Sequence, residues 1–182
     1  MTDTDSRLAA LIAKDDIRDL AMRYMRGQDR LDHALQLGTF WPDSTTDYGI
    51  FAGSGPDFVD FAQGLLTEHL ANQHIIGQHH IQFDEADPNR AFGEVYYYAF
   101  HRILDDGVAT DLIISGRYLD RYERRDTPTG PEWRFAHRSE FVDWARKDIA
   151  ADGILSTDLA TCLLGRHDTQ DRSYDCDWLK NA

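Results

Sequence analysis

The chain has 182 residues, the length of one ordinary domain, and 42% of them are hydrophobic, which is enough to build a core. It carries 19 Lys and Arg residues against 32 Asp and Glu residues, a net charge of −13. Phosphate backbones and anionic lipid surfaces repel so acidic a chain, which disfavours nucleic-acid and membrane partners. The two cysteines, Cys162 and Cys176, form no CxxC pair, and this excludes a disulfide scaffold and a cysteine zinc finger.

The first residues lack the basic start and the apolar run of a signal peptide. No stretch of the sequence approaches the ~18 apolar residues of a membrane span. We therefore expect a soluble protein with a cytoplasmic location.

Three helices are predicted in the first part of the chain. Apolar residues recur every three or four positions over residues 6–27, with Ser6 as the N-cap and Gly27 at the C-terminal end. A short helix is predicted over residues 31–37. A third helix begins at Pro56, because a proline ring suits the first turn of a helix.

The rest of the domain is predicted to be strands: a short one over residues 45–52 and long ones over residues 74–84, 91–104, 108–124 and 132–143. Helices followed by a run of antiparallel strands are typical of an α+β fold, with the helices on one face of a mostly antiparallel sheet. Strands this long must bend, so we expect a strongly curved, cone-shaped sheet whose apolar interior holds a small molecule. We expect residues 1–144 to form this domain and residues 145–182 to be a C-terminal extension that packs on it.

The first candidate site joins Tyr24, Asp29 and His74. Tyr24 lies on the apolar stripe of the first helix, Asp29 follows the end of that helix, and His74 opens the first long strand. If the helix closes the mouth of the sheet, Asp29 and His74 can meet. A carboxylate beside an imidazole makes a base, because it fixes the tautomer and stabilises the imidazolium. The spacing alone is also compatible with a chance pairing of one aspartate and one histidine.

The second candidate is Arg138, which lies in the middle of the last predicted strand. An arginine in such a position needs a partner. It can hold a substrate oxygen or a leaving group, or it can form a salt bridge to Glu140 or Asp143. The sequence does not decide between these interpretations.

Four histidines, His69, His74, His79 and His80, suggest a metal site at first sight. However, His79 and His80 are adjacent and point to opposite faces of a strand, and there is no HExxH motif. We therefore expect neither a metal nor any other cofactor.

Aromatic residues occupy both faces of the second long strand. Tyr96, Tyr98 and Phe100 share one face, and Tyr97 and His101 share the other. One face is expected to serve the pocket or the helices, and the other to meet a neighbouring subunit. The sequence therefore favours a homodimer or homotrimer.

Several segments, taken in order, resemble the SnoaL-like branch of the nuclear transport factor 2-like superfamily of cone-shaped α+β proteins. They span about residues 6–144. They are Tyr24 and Asp29 after the first helix, Phe40-Trp41-Pro42-Asp43, His74-Ile75-Ile76-Gly77-Gln78, Gly116-Arg117-Tyr118, Tyr122-Glu123-Arg124, and Trp133 through Arg138.

In the dehydrochlorinase and bile-acid dehydratase members of that superfamily, an aspartate after the first helix and a histidine that opens the first long strand form the catalytic dyad. The resemblance therefore implies that Asp29 and His74 are catalytic. It also implies that Tyr24 hydrogen-bonds a substrate oxygen and that Arg138 assists the leaving group.

Four further residues, Trp41, Gln78, Tyr98 and Tyr118, are expected to line the substrate pocket. One of them, Gln78, departs from the family pattern, because many relatives have asparagine there.

Two functions follow from the resemblance. The first is a cofactor-independent lyase, dehydratase-like, or isomerase that removes a proton from a hydrophobic polycyclic or steroid-like molecule. The second is a non-catalytic small-molecule-binding protein, or the small subunit of a ring-hydroxylating dioxygenase. A hydrogen bond between Asp29 and His74 beside a cavity would favour the first function, and a filled cone would favour the second.

Overall fold

A computed structural model describes residues 2–151 and 153–180 of the chain. The helices are α1 (Asp3–Asp29), α2 (His33–Leu37) and α3 (Gly55–Thr67). The strands are β1 (Phe40–Asp47), β2 (Ala52–Ser54), β3 (Ala71–Phe83), β4 (Arg90–Asp105), β5 (Val108–Thr127) and β6 (Gly130–Ile149). Short 3-10 turns at Gly153–Ser156, Arg172–Tyr174 and Cys176–Lys180 follow the last strand.

The first helix begins before the predicted Ser6 because a capping box forms at the very start of the chain. The Thr2 side chain accepts a hydrogen bond from the backbone N–H of Asp5, and the Asp5 carboxylate accepts one from the backbone N–H of Thr2. The predicted strand at 45–52 is two strands, β1 and β2. They are joined by a turn at Gly49, whose φ of 71° favours glycine.

The six strands form one sheet in the order β2-β1-β6-β5-β4-β3. All neighbouring pairs are antiparallel except β1 and β6, which are parallel. Helices α1 and α3 pack on one face of this sheet. The α+β class and the helix-covered, mostly antiparallel sheet predicted from the sequence are therefore confirmed.

Irregular positions in the ladders let the long strands bend. The register shifts between Ile76 and His79 in β3, and again at Gly116 where β5 meets β6. A side chain at Gly116 would meet the Phe141 carbonyl oxygen, so only glycine allows β6 this close.

Aromatic rings fill the middle of the cone, and this corrects the expectation of an apolar cavity there. Tyr24 of α1 packs edge-on against Phe40, Tyr118 and Phe135, with ring centroids 5.7–6.5 Å apart. Tyr48 stacks on the α3 ring of Phe58 at 3.8 Å. Helix α1 is therefore held by direct contact with the sheet.

The last strand runs on through Ile149, past residue 144 where the sequence places the end of the domain. The chain then returns to the C-terminal end of α1. Arg26 donates a hydrogen bond to the Ser173 carbonyl, and Tyr174 donates one to Asp32.

Among the described residues, no helix is both long and apolar enough to cross a membrane.

Candidate functional site

The structure brings Asp29 and His74 together where the end of α1 meets β3. Asp29 is the last residue of α1, and His74 points from β3 toward it. The Asp29 carboxylate lies 2.7 Å from His74 Nδ1 and accepts the His74 backbone N–H at 3.0 Å through each oxygen. Asn72, two residues earlier on the same face of β3, donates to the same carboxylate at 3.0 Å. The carboxylate is thereby fixed in place.

The other ring nitrogen of His74 contacts a glutamine. His74 Nε2 lies 3.1 Å from Gln28 Nε2. Because Asp29 is an acceptor, Nδ1 is the donor in that contact. The Gln28 oxygen accepts from Gln36, so the Gln28 amide nitrogen is the group that faces Nε2 and donates to it. The nitrogen that would act as a base therefore accepts a hydrogen bond from an amide.

A recess of about 270 Å³ lies beside this pair, between α1 and β3. Its lining is Met22, Met25, Arg26, Asp29, Arg30, His74 and Ile76. A second recess, lined by Arg18, Met22, Ile76, Gly77 and His79, shares two of these residues and extends the first along the edge of the sheet. We call the two together the edge groove. Met22, Met25 and Ile76 supply the apolar part of the recess beside the dyad, and Arg26, Asp29, Arg30 and His74 supply its polar part.

The C-terminal extension reaches the same site from outside. His167 Nδ1 lies 3.3 Å from Asn72 Oδ1. Since the Asn72 amide nitrogen donates to Asp29, its oxygen is the acceptor and His167 donates. A chain of hydrogen bonds thus runs from His167 through Asn72 to the carboxylate.

Tyr24 and Arg138 do not lie at the dyad. Tyr24 is fully buried, with its hydroxyl 2.8 Å from that of Tyr48, and burial raises its pKa to about 12. Arg138 is also fully buried and forms two hydrogen bonds to Asp120, at 2.7 and 2.8 Å. Both groups are held by partners in the core.

The salt-bridge interpretation of Arg138 is therefore favoured, but with a partner that the sequence did not suggest. Although burial lowers the pKa of Arg138, the charge of Asp120 raises it well above its ordinary value. Asp143 instead binds Arg117 at 3.0 Å. Arg138 Nη1 has no hydrogen-bond partner among the described residues, and the guanidinium lies over the Tyr24, Tyr118 and Phe135 rings.

The four residues expected to line the pocket lie elsewhere. Trp41 is buried, and its indole N–H donates to the Glu123 carbonyl. Tyr118 is part of the ring cluster in the core. Gln78 is exposed at the register shift of β3, and Tyr98 lies on the outer face of the sheet against Trp144. None of the four lines the edge groove.

The histidines do not converge on a metal site. His80 is exposed, and His79 lies 3.0 Å from the Tyr122 hydroxyl. The described part of the chain has no group of three or more His, Cys, Asp or Glu residues placed to hold a metal ion. His69 instead packs edge-on against His101, which in turn packs against His74 at a centroid distance of 5.1 Å.

Burial keeps several of these imidazoles neutral. It lowers the pKa of His101 to about 3, with the charges of His74 and His69 adding to the effect. It lowers the pKa of His79 to about 4. His101 therefore adds no positive charge beside the dyad near neutral pH.

Glu140 is a half-buried carboxyl group of β6, which the sequence suggested only as a salt-bridge partner of Arg138. It lies two residues after Arg138 on the same face of β6, and it pairs in register with Tyr118 of β5. Burial raises its pKa, while the Tyr97 hydroxyl and the charge of His74 oppose the shift. The sequence did contain a signal for this position. Side chains alternate between the two faces of a strand, and this alternation places Glu140 on the inner face of β6. Glu140 is thus a carboxyl group that keeps its proton to a higher pH than usual, within electrostatic reach of His74.

The comparisons with known proteins agree with this fold. The SnoaL-like domain matches residues 9–139 of the chain. No curated protein matches the sequence.

Among solved structures, the fold is similar to that of a type 2 hexachlorocyclohexane dehydrochlorinase. The TM-score is 0.69 and the identity 19%, over 80% of this chain and 95% of that one. A scytalone-dehydratase-like protein from Novosphingobium aromaticivorans has a TM-score of 0.66 and 21% identity, over 83% of this chain and 94% of that one. An aromatic-ring-hydroxylase-like protein from the same organism has a TM-score of 0.59 and 18% identity, over 84% of this chain and 98% of that one. At these identities the similarity shows the fold alone.

Proposed function

The chain belongs to the SnoaL-like domain family, and from this premise we propose that it is a cofactor-independent lyase that removes water from a hydrophobic, polycyclic or steroid-like molecule. One observation carries the proposal. The His74 imidazole is hydrogen-bonded at 2.7 Å to the buried Asp29 carboxylate, and it lies beside a groove that is lined in part by apolar side chains. This arrangement supports proton abstraction from carbon.

His74 is the base of the proposed reaction. Its Nε2 electron pair takes a proton from the carbon next to an activating group, and the positive charge that develops on the ring is stabilised by Asp29. The His74 side chain is only 2% exposed, so the substrate must replace the Gln28 amide at Nε2 to reach it. The hydrogen bonds of catalytic groups often change in this way when the substrate binds.

Glu140 is the proton donor of the proposed reaction. Loss of water needs an acid that protonates the departing hydroxyl, and Tyr24 and Arg138 are bound to other core residues. The raised pKa of Glu140 suits a group that is protonated before the reaction and ionised after it. One proton then moves from carbon to His74 and another from Glu140 to the departing oxygen, and proton exchange with solvent restores both groups.

A second candidate function is supported by the ring-filled interior. A non-catalytic binding protein, or a small subunit of an oxygenase, would use the fold for packing and leave the dyad unused. The outer face of the sheet offers such a protein an apolar contact surface, with Tyr96, Tyr98, Phe141 and Trp144 each 38–48% exposed. The same face is where we propose that a homodimer or homotrimer forms.

A turnover assay separates the two functions. We would incubate the full chain with a set of bicyclic and steroidal β-hydroxy ketones and follow enone formation by ultraviolet absorbance. The lyase proposal expects turnover in the wild type and its loss in His74→Ala. Binding of these compounds without turnover in either protein would favour the second candidate.

A further inference from the structure

Three buried glutamines form a hydrogen-bonded chain that ends at His74. Gln63 Nε2 donates to Gln36 Oε1 at 2.5 Å, Gln36 Nε2 donates to Gln28 Oε1 at 3.2 Å, and the Gln28 amide nitrogen meets His74 Nε2 at 3.1 Å. The residues come from α1, α2 and α3, and none is more than 9% exposed. We call this set the glutamine chain.

The direction of the glutamine chain is fixed at its far end. Gln63 Nε2 also donates to the Gly27 carbonyl at 3.2 Å. A backbone carbonyl can only accept, so this amide cannot reverse without losing a bond, and the other two must follow its orientation. Gly27 also makes the contact possible, because a side chain there would lie 2.7 Å from the Gln36 backbone nitrogen.

The result is a donor held next to the base. The Gln28 amide nitrogen has two hydrogens, and one of them is directed at His74 Nε2. No acceptor for the second is found among the described residues. A donor that is held beside the base can stabilise negative charge as it develops on the substrate.

Resting on the proposed function, we propose that Gln28 donates a hydrogen bond to the substrate oxygen that gains negative charge while His74 removes the neighbouring proton. In this step the C–H bond breaks and the proton goes to His74 Nε2. The C–H electron pair forms a C=C bond, and the carbonyl π pair moves to oxygen, which gives an enolate. The substrate displaces the Gln28 amide from Nε2 when it binds, so the amide can donate to the substrate oxygen while the proton is transferred to Nε2. Its contribution therefore grows as the reaction proceeds.

This role defines the substrate class. An amide donor assists a substrate whose acidic C–H lies next to a carbonyl group, because only that substrate puts charge on an oxygen beside the base. A halogenated hydrocarbon would give the donor nothing to stabilise at that atom. We therefore expect the substrate to be a ketone or similar carbonyl compound with a leaving hydroxyl on the next carbon.

The test uses 2-tetralone, a bicyclic ketone, and the loss of its α-proton NMR signal in D₂O with the full chain. Gln28→Met keeps the size of the side chain and removes the donor, and we expect its exchange rate to fall by about 10²–10³-fold. Gln36→Met leaves the donor present but unoriented, and a smaller fall is expected. Gln82→Met, at an exposed glutamine of β3, is the matched control and should exchange at the wild-type rate.

A binding measurement accompanies the exchange experiment, because binding can be measured without turnover. The 2-naphthol anion imitates the enolate, and its fluorescence reports binding. Gln28→Met should bind it about 10–100-fold more weakly, as expected for the loss of a hydrogen bond to a charged group. Unfolding temperatures of the variants would show that the fold is intact.

The outcomes separate the two proposals. Exchange that requires His74 and persists at full rate in Gln28→Met would overturn the role of Gln28 and leave the proposed function standing. A wild-type protein that neither exchanges 2-tetralone nor binds 2-naphthol would overturn both.

Discussion

Asp29 and His74 are joined twice: the carboxylate accepts both the ring Nδ1–H, at 2.7 Å, and the backbone N–H of the same residue, at 3.0 Å. The backbone bonds fix where the carboxylate sits, and the ring bond fixes which nitrogen of His74 is free. The end of α1 and the start of β3 are thereby locked into one geometry.

The first prediction concerns the tautomer of His74. Asp29→Asn keeps the shape of the side chain but offers an amide in place of the carboxylate. We expect turnover to fall by about 10⁴-fold, as when a dyad imidazole loses its orienting carboxylate. Steady-state kinetics would measure the loss, and Asp16→Asn, at an exposed position of α1, is the control. Unchanged turnover in Asp29→Asn would remove the carboxylate from the mechanism.

The second prediction concerns Arg138. Arg138→Met leaves Asp120 as an uncompensated buried charge, so we expect a loss of about 3–5 kcal/mol in the free energy of unfolding. Urea unfolding would measure it. Asp120→Asn combined with Arg138→Met should recover much of the loss, and the exposed Arg146→Met should lose little. A stable Arg138→Met variant that has lost turnover would instead support the leaving-group role.

The fold was accessible from the sequence because helix and strand periodicities are local. The order of helices and long strands predicts the α+β sheet. The contacts of Arg138 were not accessible in the same way. Asp120 lies on another strand, and its pairing depends on register shifts that periodicity does not report.

The candidate site, like the fold, could be predicted from the sequence only in part. The adjacency of Asp29 and His74 was expected from the family resemblance, whereas their spacing alone left it open. The glutamine chain combines three helices, so no segment of sequence contains a sign of it. The filled interior was not predicted either, because ring packing between α1 and the sheet depends on how sharply the sheet curves.

The third prediction concerns the pH dependence of Glu140, which faces Tyr97, Tyr118, His74 and Arg138. Burial raises its pKa in the folded state above the ordinary 4.5, so the folded protein holds a proton that the unfolded chain releases. The free energy of unfolding therefore falls as pH rises from 4.5 through the raised pKa. Glu140→Gln removes this fall and should be more stable than the wild type at neutral pH.

The same variant tests the acid in the proposed reaction. Glutamine cannot give a proton to the departing hydroxyl, so turnover should fall by about 10²–10⁴-fold. The wild-type rate should decline as pH rises through the raised pKa, and that limb of the profile should disappear in Glu140→Gln. A variant with full turnover and an unchanged pH profile would show that Glu140 is not the acid.

The fourth prediction concerns stability in acid. His101 faces His69 and His74, and its pKa is lowered from 6.5 to about 3 in the folded protein. Between pH 6.5 and about pH 3, His101 binds a proton in the unfolded chain but not in the folded protein. The free energy of unfolding therefore falls as pH drops below 6.5. The slope is about 1.4 kcal/mol per pH unit for this one group. Urea unfolding from pH 7 to pH 4 would show a shallower slope in His101→Gln, and equal slopes would contradict the buried neutral imidazole.

The fifth prediction links the C-terminal extension to the dyad. His167→Ala removes the donor that orients Asn72, which in turn donates to Asp29. We expect a modest fall in turnover, about 3–10-fold, with little change in the unfolding temperature. His80→Ala, at an exposed histidine of β3, is the control. If His167→Ala behaves as His80→Ala does, the extension has no part in the site.

The proposed function depends most directly on whether His74 removes protons from carbon. The decisive measurement is the rate at which the α-protons of 2-tetralone are replaced by deuterium in the presence of the wild type and of His74→Ala. We expect the wild type to accelerate the exchange and His74→Ala to return it to the rate in buffer alone. Equal rates for the two proteins would contradict the assignment of His74 as the base.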